Sequence, residues 1–130
     1  MSSQSEYWLD LCDEDLITAQ ALLKSGRLLH MGFFCHMIVE KSLKAVVSNR
    51  TDMIPPKIHD LPRLASLGGL WETLSDDQRG LIKQLIPLQI ESRYPEYKER
   101  IAGTLTIERC KQILAGTEDF LCWIKQQLKK

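Results

Sequence analysis

The sequence lacks any apolar run of the roughly 20 residues that a membrane-spanning helix needs. Residues 1–16 are acidic and do not show the charged-then-apolar pattern of a secretory signal. The 17 Lys and Arg residues balance 17 Asp and Glu residues, so no whole-molecule field attracts nucleic acid or a membrane surface. We therefore expect a cytoplasmic chain with no membrane partner, in which any anion-binding surface is local.

Several motifs that carry chemistry are also missing. The chain has no glycine-rich phosphate loop, no nucleophile elbow and no cysteine pair at the spacing of a zinc or redox site. Its four cysteines (Cys12, Cys35, Cys110 and Cys122) occur singly within apolar helical patterns, which is typical of reduced thiols in or near a core. The sequence predicts no metal site and no cofactor.

The run from His30 to Arg50 is the segment around which the chain is organised. Its first half is apolar on nearly every side, as in a helix buried on all faces. Its second half keeps only a narrow apolar stripe and places Glu40, Lys41 and Lys44 elsewhere. This pattern predicts a helix that begins deep in a bundle and ends at its surface.

Apolar spacings of three and four residues recur on both sides of this run, and no strand-like alternation occurs. We expect frayed residues 1–5, irregular structure at Pro55-Pro56, a kink or helix end at Pro87, and a polar irregular stretch over 91–103. The predicted fold is all-α, a four-helix up-and-down bundle with one extra short helix, formed by residues 1–130 as a single domain. The flanking helices are predicted over 7–25, 60–67, from Ser75 towards Pro87, and from about Thr106 almost to the C-terminus.

Two pairs on the central helix stand out from the core pattern. Glu40 and Lys44 are four residues apart in the order that favours an ion pair, which predicts a salt bridge at the rim of the bundle or a functional charge pair. His36 and Glu40 have the same spacing, which can also hold a metal, but no third ligand is evident.

Two loop segments carry further candidates. Lys57 and His59 precede the predicted cap Asp60, so His59 is either an ordinary loop side chain or a group that meets an anion near a helix start. Arg93 suits bidentate phosphate contact and Tyr94 can stack on a base, whereas the alternative is a capped helix end with the tyrosine packed on the bundle.

Taken together, these marks resemble the HEPN family of small helical proteins from prokaryotic toxin–antitoxin and defence loci. The resemblance covers the chain from about Tyr7 to Lys125. Its more specific parts are the glutamate–lysine–leucine–lysine stretch and the lysine–histidine–aspartate–leucine stretch, in this order and separation. The matching segments are 15–16, 19–23, Gly26, 33–34, 40–45, 56–61 and 93–95.

The resemblance implies a helical bundle that usually forms a homodimer and is often encoded beside a small nucleotidyltransferase. Active members are metal-independent ribonucleases whose signature is an Arg followed, after four to six residues, by a His. If Arg93 is that arginine, the histidine should lie at 98–100, where this chain has Lys98, Glu99 and Arg100. The sequence therefore departs from the ribonuclease signature.

Three hypotheses follow. The first is a dimeric module that binds nucleotide or RNA phosphate and acts with a nucleotidyltransferase partner, with candidate contacts from Arg93, Tyr94, His59, Lys57 and Lys44. The second is a toxin-type, metal-independent ribonuclease in which His59 replaces the missing base and Arg93 stabilises phosphate charge. The third is a purely structural partner protein whose dimer surface is its only function.

Overall fold

The computed structural model describes residues 2–51, 53–89 and 95–129. In these ranges the chain forms six α-helices, two 3-10 turns and no strand, which confirms the predicted all-α class. None of these helices is both long enough and apolar enough to cross a membrane. The helices are α1 (Ser3–Lys24), α2 (Leu28–Arg50), α3 (Leu61–Leu67), α4 (Asp76–Leu85), α5 (Pro95–Ala102) and α6 (Ile107–Leu128), and the 3-10 turns are Trp71–Thr73 and Ile86–Leu88.

Helices α1 and α2 form an antiparallel pair, as the short break between them predicts. Gly26 adopts a φ of +76°, a conformation that favours glycine, and lets the chain reverse within three residues. The Ser5 hydroxyl donates to the carbonyl of Ala45, and the Cys12 thiol donates to the carbonyl of Ile38. These bonds fix the register of residues 5–12 of α1 against residues 38–45 of α2.

The start of α1 lies before the predicted start. We expected residues 1–5 to be frayed, and for residues 2–5 this is wrong. The Ser2 side chain caps the helix by accepting from the backbone N–H of Ser5, and the Ser5 side chain is buried against α2. The helix is therefore anchored by a serine cap and a buried hydroxyl, neither of which contributes to an apolar periodicity.

Helix α6 packs on α1 and α2 and completes the main bundle. Thr106 caps its first turn. Lys125 pairs with Asp13 at 2.6 Å, and Gln20 donates to Glu118 at 3.1 Å, so α1 and α6 are also antiparallel. One apolar cluster with side chains from α1, α2, α3, α4 and α6 forms the core.

The remaining elements confirm some predictions and correct others. Asp60 caps α3, and Ser75 with Gln78 forms a full capping box at α4. Pro87 falls in the 3-10 turn that ends α4, as expected from its missing N–H. Helix α5 was not predicted, because the polar composition of 91–103 suggested irregular structure. Six helices are therefore described where five were expected.

The cysteines are all free thiols. Cys12, Cys35 and Cys110 are buried, and Cys122 is exposed. Burial raises the pKa of Cys35 to about 12, which keeps this thiol protonated at neutral pH.

Candidate functional site

A row of polar side chains runs along α2, which has more buried residues than any other described helix. His36, Glu40, Lys44 and Ser48 are spaced four residues apart and therefore share one face of the helix. The first three are buried, with exposed fractions of 1%, 1% and 7%. Such groups are rarely buried unless they are paired, so their partners decide what the row does.

Glu40 is the centre of this polar row. Its Oε2 atom accepts from the Lys44 ammonium at 3.0 Å, and its Oε1 atom accepts from His59 Nδ1 at 2.8 Å. Because a carboxylate can only accept, the Nδ1 atom of His59 carries the proton in this bond. The carboxylate thus holds a helix lysine and a loop histidine together.

The predicted ion pair between Glu40 and Lys44 is confirmed, but its predicted place at the rim is wrong. The two side chains are only 2% and 9% exposed, so the pair lies inside the bundle. Lys44 Nζ also lies 5.6 Å from the centre of the Trp8 ring, a distance compatible with a cation–π contact. The charge of Lys44 is therefore matched within the protein and is not presented to solvent.

His36 is the second histidine near Glu40, and it differs from His59. Its Nδ1 atom lies 3.6 Å from Glu40 Oε1, which is beyond hydrogen-bond distance, and has no hydrogen-bond partner among the described residues. Burial lowers the pKa of His36 to about 4, although the Glu40 carboxylate acts in the opposite direction. His36 is consequently neutral at pH 7.

A cleft of about 380 Å³ opens beside these histidines. His36 forms part of its wall from α2, the segment 59–62 forms a second side, and Ile86 and Gln89 close it from the end of α4. The His59 side chain is 49% exposed, so it reaches solvent while its Nδ1 atom is held by Glu40. The cleft volume falls within the range of small-molecule sites in proteins.

The cleft differs from the anion site suggested by sequence. No Lys or Arg is among its described lining residues, whereas Asp60 is. The Asp60 carboxylate accepts from the backbone N–H of Arg63, so the start of α3 already has its own negative charge. In the described parts of the chain, no group of three His, Cys, Asp or Glu side chains is placed to hold a metal ion.

The five predicted contact residues have different outcomes. Lys44 and His59 come together through Glu40. Lys57 is exposed, two residues before His59 in the same segment. Arg93 and Tyr94 lie outside the described residues.

Sequence reasoning singled out Glu40 but missed its bond to His59, and it missed two residues that line the cleft, Ile86 and Gln89. The bond between Glu40 and His59 links positions 19 residues apart, and no spacing rule points to it. Ile86 and Gln89 lie beside Pro87, and no sequence pattern marks them as residues of a site. The usable signal was the four-residue spacing from His36 through Ser48, which places polar groups on one face of a helix that is otherwise buried.

Comparisons with known proteins agree with this fold. The family model described as HEPN domain matches residues 5–127. The crystal structure of ST0689, an archaeal HEPN homologue, superposes with a TM-score of 0.67 at 16% identity, covering 98% of this chain and 99% of that one. No curated protein matches the sequence. Because the family model spans nearly the whole chain, this protein belongs to the HEPN domain family.

Proposed function

We propose that this chain is a dimeric HEPN module that binds nucleotide or RNA beside His59 and acts with a nucleotidyltransferase partner. The observation that carries the proposal is the half-exposed His59 at a cleft of about 380 Å³, fixed through its Nδ1 atom by a fully buried carboxylate. A side chain locked by a buried partner is pre-organised for binding, because it loses little freedom when a ligand arrives.

In our proposal, the phosphate of the ligand contacts side chains on the exposed side of this site. Lys57 precedes His59 by two residues and is free to extend into solvent. Arg93 and Tyr94 stay candidate contacts on residue chemistry, since a guanidinium matches a phosphate and a tyrosine ring can stack on a base. Lys44 acts indirectly, by completing the charge pairing of Glu40.

Binding of the purified chain to mononucleotides and to a short single-stranded RNA tests this proposal. We expect Arg93→Ala to weaken binding about tenfold or more, since charge-assisted contacts are worth about 1.5–3 kcal/mol. Arg100→Ala is the matched control, because Arg100 is exposed and lies against the Tyr97 ring. Equal affinities of wild type and Arg93→Ala would contradict the assignment of Arg93.

The dimer and the partner need separate measurements. Light scattering of the purified chain gives its mass in solution, and the proposal requires twice the chain mass of 15.0 kDa. Co-purification with a nucleotidyltransferase encoded nearby tests the partnership. A monomer that binds no such protein would leave only the ligand-binding part of the proposal.

A second function, metal-independent RNA cleavage, is favoured by one specific observation. The 2.8 Å bond from His59 Nδ1 to Glu40 matches the way a carboxylate orients a catalytic imidazole, leaving Nε2 to take or give a proton. Because the usual Arg–His spacing is missing after Arg93, His59 would be the acid or base.

An RNA-cleavage assay in the presence of a chelator distinguishes a binding module from a metal-independent ribonuclease. If the protein cleaves RNA through His59, we expect a bell-shaped pH dependence of the rate and loss of activity in His59→Ala. His30→Ala is the control, because His30 is an exposed histidine on α2, and it should leave activity unchanged. Absence of cleavage by wild type, or cleavage that persists in His59→Ala, would rule out this second function.

A further inference from the structure

Two exposed residues of the cleft present hydrogen-bond acceptors. His59 and Asp60 are neighbours in the chain and both line the cleft. Because Nδ1 of His59 donates to Glu40, the other ring nitrogen, Nε2, is an acceptor in the neutral ring. The Asp60 carboxylate uses its Oδ1 atom to accept from the backbone N–H of Arg63. Within the described residues its second oxygen and His59 Nε2 have no hydrogen-bond partner, so both can accept from a ligand.

The rest of the wall offers mostly apolar contact. The Nδ1 atom of His36 and the Nε2 atom of Gln89 are shielded from solvent, so a ligand in the cleft does not reach them. Leu61, Pro62 and Ile86 also line the cleft, and Ile86 is 49% exposed. A ligand that fits this wall therefore carries hydrogen-bond donors beside C–H surface.

The charges around the cleft favour an uncharged donor over an ion. The Asp60 carboxylate repels a phosphate inside the cleft, and no Lys or Arg is among the described lining residues. A cation is not favoured either, because Lys57 and Arg63, both exposed and each three residues from Asp60, offset its negative charge. A hydroxyl group meets both conditions, since it is uncharged and donates a hydrogen bond.

We infer that the cleft receives the ribose of a bound nucleotide or RNA and that the phosphate stays outside, near Lys57. The 2′-hydroxyl, which is present both in a free nucleotide and within a strand, donates to the Asp60 carboxylate. Dinucleotide-binding proteins use an acidic side chain in this way. The 3′-hydroxyl of a free nucleotide donates to His59 Nε2, and the C–H surface of the sugar packs against Pro62 and Ile86. This inference rests on the proposed function and specifies a ribonucleotide rather than a deoxyribonucleotide.

Calorimetric titration of the full chain with matched ribose and 2′-deoxyribose ligands tests this inference. The probes are the four ribonucleoside 5′-monophosphates, their 2′-deoxy counterparts, and single-stranded RNA and DNA of one sequence that lacks uracil and thymine. We expect each ribose ligand to bind about two- to tenfold more tightly than its deoxy counterpart, whichever base it carries, since one hydrogen bond has that value.

Asp60→Ser should abolish this preference without unfolding α3. Serine caps a helix about as well as aspartate does, so the cap is retained, but the second carboxylate oxygen is lost. Asp76→Ser is the matched control, because it removes an exposed acid at the opposite end of α4 from Ile86, and it should leave the preference unchanged. Far-UV circular dichroism of each variant confirms that the helices are intact.

The outcomes separate the ribose subsite from the proposed function. Ribose and deoxyribose ligands that bind equally, including a strong preference for one base in both series, overturn the ribose subsite and leave nucleotide binding in place. A ribose preference that persists in Asp60→Ser also overturns the assignment. No binding of any probe overturns both levels. A preference that is lost in Asp60→Ser supports the inference, and its occurrence with mononucleotides or only with RNA identifies the source of the ribose.

A second variant tests the contact of His59 independently of Asp60. Wild type should bind adenosine 5′-monophosphate about two- to tenfold more tightly than its 3′-deoxy analogue. His59→Phe keeps a ring in the cleft but removes Nε2, so it should bind the two ligands equally. His30→Phe, a change at an exposed histidine on α2, is the control and should keep the difference. An unchanged difference in His59→Phe would contradict the assignment of the 3′-hydroxyl.

Discussion

Replacement of Glu40 by glutamine is a small change in side-chain structure, but it should destabilise the protein strongly. Glu40 is 2% exposed and is the partner of Lys44, whose side chain is 9% exposed. Glu40→Gln keeps the shape of the side chain and much of its hydrogen bonding, but it leaves the lysine charge buried without a counter-charge. Removing one partner of a buried ion pair costs about 3–5 kcal/mol. We expect about 3 kcal/mol, at the lower end, because the amide oxygen still accepts a hydrogen bond and the Trp8 ring still faces Lys44.

This loss would be a large part of the total stability, since domains unfold with about 5–15 kcal/mol. Urea denaturation followed by circular dichroism measures it directly, with an unchanged dependence on urea concentration showing that two-state unfolding is retained. The matched control is Asp13→Asn, the same acid-to-amide change in the Asp13–Lys125 pair, where the side chains are 50% and 36% exposed. That exposed pair should contribute less than about 1 kcal/mol.

A double-mutant cycle identifies the cause. If the unpaired lysine is responsible, Lys44→Met in the Glu40→Gln background should recover part of the lost stability, so the two changes together cost less than their sum. A Glu40→Gln variant within about 1 kcal/mol of wild type, or no different from Asp13→Asn, would refute our account of the buried pair.

The remaining predictions concern pH, caps and glycines. Burial lowers the pKa of His36 to about 4, below its unfolded value near 6.5, so the unfolded chain binds more protons between these values. Stability from this group is therefore present above pH 6.5 and lost as the pH falls towards 4, by on the order of 3 kcal/mol; His36→Phe should flatten the measured pH dependence of unfolding in this window. Ser75→Ala removes the capping box of α4 and should lower the urea midpoint by an amount equivalent to about 1 kcal/mol. Gly80→Ala should stabilise by up to about 1 kcal/mol because its added Cβ meets nothing within 4 Å, whereas Gly32→Ala should not, because its Cβ would lie 3.0 Å from buried Leu88 Cδ1; equal thermal midpoints would contradict this difference.

The fold was largely predictable because its determinants are local. The apolar spacing of the long helices, the caps at Asp60 and Ser75, and the interruption by Pro87 can all be read from neighbouring residues. The start of α1 was readable only in part, because the Ser2 cap is a local signal whereas the Ser5 hydroxyl that anchors this turn donates to Ala45 on α2. Helix α5 was missed because four of its eight residues are charged and it begins at Pro95.

The candidate site was only partly predictable because it is assembled across the chain. The pair of Glu40 and Lys44 follows from a spacing of four residues, a local rule. The contact of His59 with Glu40 depends on how the Pro55-Pro56 segment returns to α2, which no periodicity encodes. The depth of Lys44 was also misjudged, because its charge suggested a rim position and the face of Trp8 was not foreseen. Long-range contacts therefore account for most of what the sequence left open.

The polar row on α2 is better explained by its effect on the position of His59 than by a contribution to the stability of the fold. Buried ion pairs can often be replaced by apolar side chains without loss of stability, so packing alone does not require Glu40 and Lys44. Glu40 has the further effect of fixing His59 at the mouth of the cleft, and an apolar pair would not reproduce it. The double change Glu40→Leu with Lys44→Met should therefore unfold within about 1–2 kcal/mol of wild type yet bind nucleoside monophosphates at least tenfold more weakly. Wild-type affinity in that folded double variant would show that the row is only structural and that His59 needs no buried carboxylate.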